Sequence, residues 1–521
     1  MPFPRMSSLI VTLDKLYELL SQQNHCGYIV GGFIRDWLLG RQTNDIDIAV
    51  NGNAITVAED VAKDIGGKFV LLDEVNNITR VVVTENEHRW HLDFSAFHGD
   101  IESDLARRDF TINAMAVELS QFVSCQPQAS MEPQGFAESL REKESQPKLI
   151  DPFSGKKDLD NSIVRALNDQ IFEADAVRLL RAVRLTAELN FTIAPETESL
   201  IRYYCQSISK IPGERVREEL LRLLSLPQAT QHLKYLDNLG LLPALIPELV
   251  QSKGVEQPTV HFWDVFEHSL QTVATIEFLI RENNWEYGNE DMLAIAPWSD
   301  TIDAHLSQEV SGGSNRKVLL KLGALLHDIA KPMTKSLDDT GRARFLGHAK
   351  QGAAMAASIL ERLRFSNREI TVVERLVYHH LRPAQLADKE LPTQRAIYRY
   401  FRDADDGGID ILILALADYL ASLGPLVSME GWERYCQLAN YVLIEHDKQQ
   451  TKILPVKFID GHDLINNLGL PPGPLIGKLL SMVREAQASG ELSTKEEALA
   501  LVQKELSLRA QRSNPPRIEA G

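Results

Sequence analysis

From Tyr28 to Ser120, short apolar runs alternate with stretches of helical periodicity. Tyr28-Ile29-Val30 and Ile46 to Val50 are apolar and β-prone, which predicts two short strands. Between them, Phe33 to Leu39 predicts a helix that opens directly after Gly31-Gly32. Upstream, Leu9 to Leu20 predicts an amphipathic helix, and Ala54 to Ile65 predicts another, ended by Gly66-Gly67. Phe69 to Leu72, Arg80 to Thr84 and His91 to Phe97 predict further strands. Residues 121–148 break the pattern. They are rich in Gln, Ser, Glu and Pro without periodicity, and are expected to form a flexible insertion that carries no chemistry.

Beyond residue 154 the periodicity is helical. Ala176, Val177, Leu179, Leu180, Val183 and Ala187 recur at helical spacing, and predict one helix from Glu173 to Leu189. Arg178, Arg181 and Arg184 follow at i, i+3 and i+6 and line one of its faces. Further helices are predicted at Ile211 to Leu220, Leu233 to Leu239 and from Leu241. A second helical stretch opens at His261 and contains a polar insertion over 281–316. Asp406-Gly407-Gly408 breaks the chain again. A final helical unit spans 451–508, with Pro471-Pro472-Gly473-Pro474 setting a turn before a helix start, and 509–521 is expected to be a disordered tail.

Length and charge narrow the classes. At 521 residues the chain has room for three or four domains. No apolar run approaches the roughly 20 residues needed to span a membrane, so no membrane partner is expected, and Met1 to Ser8 has no signal-peptide layout. Cys26, Cys125, Cys205 and Cys436 are scattered without CxxC spacing, which suits a reducing cytoplasm. A net charge of −17 weighs against nucleic acid when taken alone. The arginine face around Arg181 shows that a local basic surface still exists.

Candidate chemistry centres on Asp45-Ile46-Asp47. On a strand, residues i and i+2 point to one face about 7 Å apart. Two carboxylates would therefore project into one place and suit Mg²⁺, a hard cation that shares its shell with substrate phosphates. Gly31 and Gly32 let a triphosphate approach backbone N–H groups at a helix start. Asp93 on a neighbouring strand offers a third carboxylate, which would complete a site able to hold two metal ions. Arg107 and Arg108 can bind phosphate bidentately. Asp109 and Asn113 are spaced i, i+4 on a predicted helix and would share a face. A lone DxD is common on exposed strands, so the combination of these segments matters more than any one of them.

Gly31-Gly32-x-x-Arg35-Asp36 followed by Asp45-x-Asp47, with Arg107-Arg108-Asp109-Phe110-Thr111-Ile112-Asn113-Ala114 downstream, resembles the polymerase-β-like nucleotidyltransferases. The resemblance is to the class II branch, which holds bacterial CCA-adding enzymes and poly(A) polymerases. It implies an α+β protein: a nucleotidyltransferase head (1–153) with a small mixed sheet and helices, then an all-helical neck (154–250), an HD domain (251–450) and a helical tail. It assigns catalysis to Asp45 and Asp47, with Mg²⁺ on both, and Asp93 joins them as a catalytic candidate by its strand position. Nucleotide binding falls to Gly31, Gly32, Arg35, Arg107, Arg108, Asp109 and Asn113. In the neck, Asp175, Arg178, Arg181 and Arg184 correspond to a base-reading helix that carries Glu-Asp-x-x-Arg in the family. Here Ala174 stands in place of the Glu. Glu173 lies one residue earlier, about 100° round a helix, and substitutes poorly.

His268, His327-Asp328, His348, His379-His380 and Asp418 recur on successive apolar helices. Imidazole and carboxylate together suit a divalent transition metal with open positions. This order resembles the HD phosphohydrolase superfamily. The resemblance implies His268, His327, Asp328 and Asp418 as metal ligands, with His348 and His379 as additional candidates and nickel, manganese or iron as the metal. Residue order alone does not separate His379 from His380. Lys331 would sit near a bound phosphate.

The whole chain is expected to be a cytoplasmic tRNA nucleotidyltransferase that uses CTP and ATP to add C, C and A to a tRNA 3′ end. Three other readings fit the same motifs: an enzyme adding only A or only CC, a poly(A) polymerase, and an HD hydrolase with an RNA-binding head.

Overall fold

The computed structural model describes residues 6–85, 88–124, 147–258, 261–386, 391–451, 458–488 and 490–513. Most of the expected insertion at 121–148 and the end of the expected tail lie outside these residues. Contacts divide the chain into two compact units, 1–211 with 238–244, and 212–237 with 245–521.

The first unit is built on one seven-stranded sheet. Its strands are β1 (Gly27–Val30), β2 (Asp45–Val50), β3 (Lys68–Asp73), β4 (Ile78–Glu85), β5 (His88–Ala96), β6 (Ala116–Glu118) and β7 (Leu149–Ile150). Their order is β3-β4-β5-β2-β1-β6-β7. Only β2 and β5 run parallel, and every other neighbouring pair is antiparallel. Ile46, Ile48, Leu92 and Phe94 are fully buried, while Asp45, Asp47 and Asp93 alternate with them toward the other face. That alternation is why a period of two placed the carboxylates correctly.

Three helices brace this sheet. Helix α1 (Met6–Gln22) covers the expected amphipathic segment. Helix α2 (Gly32–Leu38) follows the two glycines. Helix α3 (Ala54–Ile65) starts at Asn53, whose side chain accepts from the backbone of Ile55 and Thr56, and ends at Gly66 with φ 72°. Phe97, Ile101, Leu105, Ala114 and Ala116 pack with Val30 and Ala49, fixing the Arg107–Asn113 segment to the sheet.

Two sequence expectations change here. Glu173 to Leu189 is not one helix. A short turn of helix at Ile171–Ala174 ends at Asp175, which is extended (φ −155°, ψ 99°), and a second helix runs Arg178–Leu189. Asp109 and Asn113 do not share an α-helix either, because Phe110 is extended and only Thr111–Asn113 forms a 3₁₀ turn.

The second unit is helical. Helices Val265–Leu279, Arg316–Leu326, His348–Arg362, Asn367–His379 and Gly408–Leu423 form its centre. Val265–Leu279 is buried nearly all round, and its buried polar residues include His268, Gln271, Thr272, Thr275 and Glu277. Lys321, also buried, is ion-paired with Glu277 (3.1 Å) and Glu282 (2.7 Å). The polar insertion over 281–316 is structured: Glu290–Ile295 and Asp300–Leu306 are helices capped by Asn289 and Ser299, with Trp285, Met292, Ile302 and Leu306 buried. Gln394–Leu426 is long and apolar enough by composition to cross a membrane, contrary to expectation. Most of its apolar window is buried in this core, and Asp405–Gly407 interrupts it. The C-terminal helices close over Ile459, Leu464, Leu479, Val483, Ala498 and Val502, and the last continues past Arg509 to Ser513.

Candidate functional site

The head site begins where β1 ends. Gly31 takes φ 72° and ψ −135°, a conformation that disfavours side chains. A Cβ there would meet Arg108 Nη1 at 2.6 Å and Asp47 Oδ2 at 2.9 Å. The turn thus brings Arg108 and Asp47 together, and the Gly32 N–H reaches the Asp47 carboxylate. Burial raises the pKa of Asp47. Arg108 and the Gly32 N–H oppose this, while Asp93 and Asp45 add to it. A cation placed here would restore the charged form.

Asp47 and Asp93 are register partners on β2 and β5, as are Asp45 and His91. His91 Nδ1 lies 2.8 Å from Asp45 Oδ1. Asp93 accepts two hydrogen bonds from Arg80, from Nε at 2.6 Å and Nη2 at 2.7 Å. Asp45 is the most open of the three carboxylates, with its side chain 64% exposed. A three-carboxylate face of hard oxygens fits a divalent cation.

A chain of polar contacts runs from this turn toward the Arg178–Leu189 helix. Arg35 binds Asp36 through Nε (3.0 Å) and Nη2 (2.9 Å), and donates from Nη1 to Asn113 Oδ1 at 2.8 Å. Asn113 Nδ2 donates to Asp109 Oδ1 at 3.0 Å, and Arg181 Nη1 donates to Asp109 Oδ2 at 3.1 Å. Burial works against ionised Asp109, but Arg181, Asn113 and the Phe110 N–H outweigh it and hold its pKa below the usual range. Asp109 and Asn113 therefore meet through this bond rather than across a helical turn. Arg178 Nη2 donates to the Arg107 carbonyl at 3.0 Å. Arg107 and Arg108 both pair with Asp104. Arg184 pairs with Glu188 of its own helix, and Asp175 Oδ1 accepts from the Val177 N–H at the helix start. The structure thus joins Arg178 and Arg181 to the head motifs.

A second constellation lies in the helical unit. His268 Nε2 is 3.0 Å from Asp418 Oδ1 and 3.4 Å from Asp328 Oδ2, and His327 Nε2 is 3.1 Å from Asp328 Oδ2. On the other side, His348 Nε2 lies 3.3 Å from Asp328 Oδ1 and His380 Nε2 3.8 Å from it. Two groups able to hold a metal ion therefore share Asp328: His268, His327 and Asp328, and Asp328, His348 and His380. The partner of His348 is His380 and not the expected His379. His380 is the residue just past the Asn367–His379 helix and is 2% exposed.

The donor set fits a divalent ion. His327, His348 and His380 each direct Nδ1 to a backbone carbonyl (Ala324, Phe345 and Val377, at 2.8, 2.7 and 2.7 Å). This leaves three Nε2 lone pairs facing Asp328. Among the described residues neither Asp328 oxygen completes a well-formed hydrogen bond, although Lys331 Nζ sits 2.5 Å from Oδ2 as an ion pair and binds Gln257 Oε1 at 2.6 Å. Burial opposes ionisation of Asp328, yet His327, Lys331 and His268 hold its pKa well below the usual range. Burial and the neighbouring His327 push the His380 pKa down to about 4, which keeps that ring neutral and able to ligate.

Residues 27–165 match the poly A polymerase head domain, 190–252 the probable RNA and SrmB-binding site of polymerase A, and 265–423 the HD domain. The A-adding tRNA nucleotidyltransferase of Deinococcus radiodurans is 32% identical over 482 residues, covering 91% of this chain and 94% of that protein. The chain belongs to the tRNA nucleotidyltransferase family. The CC-adding tRNA nucleotidyltransferase of Thermus thermophilus is likewise 32% identical, over 91% of this chain and 92% of its own. A Thermotoga maritima CCA-adding enzyme solved with tRNA shares the fold at 21% identity and a TM-score of 0.56, covering 97% of this chain and all of that one. A CCA-adding enzyme solved with ATP gives a TM-score of 0.59, also at 21% identity, covering 96% of each chain.

Several residues of this nucleotidyltransferase escaped the sequence reading. His91 shares the face of Asp93 by period two and was available to that rule. Arg80 was not, because its partner is set by the β4–β5 register. Gln257 was likewise invisible without its bond to Lys331. His261, whose ring lies 5.5 Å from that of His268, has a pKa pushed down to about 4 by burial, Lys331 and His268.

Proposed function

We propose that this nucleotidyltransferase adds C, C and A to the 3′ end of tRNA from CTP and ATP, without a nucleic-acid template. The observation that carries this reading is the placement of Asp45 and Asp47 on one strand face, beside Asp93 and beneath the Gly31 turn. Asp45 and Asp47 would hold Mg²⁺, which when bound lowers the pKa of the attacking hydroxyl and offsets developing charge on the phosphates. Gly31 and Gly32 present backbone to the triphosphate, and Arg35, Arg107 and Arg108 offer cationic groups beside them. The tRNA 3′-hydroxyl gives up its proton to solvent and its oxygen bonds to the α-phosphorus as the bond to the β-phosphate oxygen breaks, and pyrophosphate leaves. Asp109, fixed by Asn113 and Arg181, orients the nucleotide, and Asp175 and Arg178 present acceptor and donor groups to the base.

In this reading residues 1–153 carry the chemistry, 154–250 form the neck, 251–450 the HD domain and 451–508 the tail that holds the tRNA body. The protein works in the cytoplasm. The HD centre is a metal-dependent phosphohydrolase, with nickel, manganese or iron on His268, His327, Asp328 and Asp418 and with His348 and His380 completing the set.

A second reading has a specific observation behind it. Ala174 stands where the family pattern has Glu, and relatives that match over nine-tenths of this chain are named A-adding and CC-adding tRNA nucleotidyltransferases. Incubation of tRNA transcripts ending before CCA, after C and after CC, with CTP, ATP or both, separates the two. Extension that halts at CCA supports the full activity. Addition of A only to the CC-ending transcript, or of CC only, selects the partial one. Long A tails on any RNA would overturn both.

A further inference from the structure

We infer that Arg80 controls the access of a metal ion to Asp93, and is thus a positioning residue of the head site. The inference rests on the reading of Asp45 and Asp47 as metal ligands.

The sheet register lays Arg80, Asp93 and Asp47 in one row across β4, β5 and β2. Side chains directly opposite each other in a sheet interact, and like charges there repel. Asp47 and Asp93 form such a like pair, and Arg80 closes the row with the opposite charge. Its guanidinium is committed to Asp93 through two bonds of 2.6 and 2.7 Å, one to each oxygen. This is the fork geometry that makes Arg–carboxylate pairs strong and directional. Arg80 also feels Asp45 and Asp47; the Asp93 hydrogen bonds, above all, raise its pKa. In this arrangement Asp93 has both oxygens held by Arg80, whereas Asp45 is 64% exposed with His91 beside one oxygen, and Asp47 meets the Gly32 N–H.

The same fork that binds a carboxylate binds a phosphate. Arg80 is therefore suited to exchange Asp93 for the anionic oxygens of an arriving triphosphate. Only then does the third carboxylate become available. Before nucleotide arrives, Arg80 keeps metal affinity on this face low.

Manganese titration of the full-length, nucleotide-free protein, followed by electron paramagnetic resonance, tests this. The component lost in Asp47→Asn belongs to the head, and separates it from ions taken by the HD centre. Arg80→Gln is expected to strengthen that head component by about tenfold, because a neighbouring positive charge is gone. It should also raise the KM for nucleotide. Arg80→Lys keeps the charge without the fork and is expected to fall between wild type and Gln. A merely structural arginine would weaken metal binding when removed, so unchanged or weaker binding in both variants overturns the inference. If Asp47→Asn removes no manganese component, the metal reading of the head itself fails.

Discussion

Asp47 and Asp93 face each other across two parallel strands, β2 and β5, in a sheet whose other pairs are antiparallel. Burial favours the neutral form of Asp47, and Asp93 adds to this. Such a pair is costly unless a cation joins it. Asp45→Asn and Asp47→Asn are each expected to lower nucleotidyl transfer by about a thousandfold, the scale of losing a preorganised electrostatic contact. Neither should lower the melting temperature, since each relieves repulsion. Single-turnover extension and thermal unfolding check the two halves.

Gly31 and Gly66 share a φ of 72° but differ in surroundings. A Cβ at Gly31 meets Arg108 and Asp47, whereas Gly66 has nothing within 4 Å. From the backbone alone, Gly66→Ala is expected to destabilise by about 1–2 kcal/mol, the left-handed cost, and Gly31→Ala, whose ψ of −135° lies outside the left-handed helical region, by about 1–3 kcal/mol. Only Gly31→Ala should also raise the KM for ATP and CTP, because it pushes Arg108 and Asp47 apart. Equal kinetic effects at the two positions would show that the Gly31 turn has no part in the site.

His379 and His380 are adjacent, yet only His380 faces Asp328. His380→Asn is expected to lower bound transition metal in the purified protein, measured by inductively coupled plasma mass spectrometry. His379→Asn should leave it unchanged. Chelator treatment should remove the same metal and leave CTP-dependent extension in Mg²⁺ intact, because the head site uses different residues.

Glu369 ties the Asn367–His379 helix to its surroundings. It accepts from Arg217 and from Ser314, and completes a capping box with Ser366. Burial opposes its charge, but these bonds outweigh burial and hold its pKa below the usual range. A depressed carboxylate pKa contributes stability that is fully present above the unfolded value of about 4.3. That contribution is lost as pH falls through the folded value. Urea unfolding of Glu369→Gln is expected to show a loss of about 1–3 kcal/mol at pH 7. The difference from wild type should shrink as the pH is taken below 4. A difference independent of pH would assign the effect to shape rather than charge.

The head was the most legible part of the sequence. Strand alternation placed Asp45 and Asp47, and two glycines marked the turn that receives Asp47. The helical units were harder. Residues 281–316 looked polar because their two helices are short and bury few side chains each, so no period could build up. Asp175 interrupts an otherwise continuous apolar period, and only its extended backbone reveals the break. Neighbouring histidines at a helix end differ by one step of rotation, which composition does not resolve. Arg80 became visible only through the sheet register, because cross-strand pairing leaves no local trace.

Extension of defined tRNA transcripts by wild type and by Asp45→Asn, side by side, decides whether the head is the catalytic centre. With CTP, ATP and Mg²⁺, the wild type is expected to complete CCA and stop, and Asp45→Asn to add nothing. Extension by Asp45→Asn at the wild-type rate would contradict the assignment of the head as the catalytic centre.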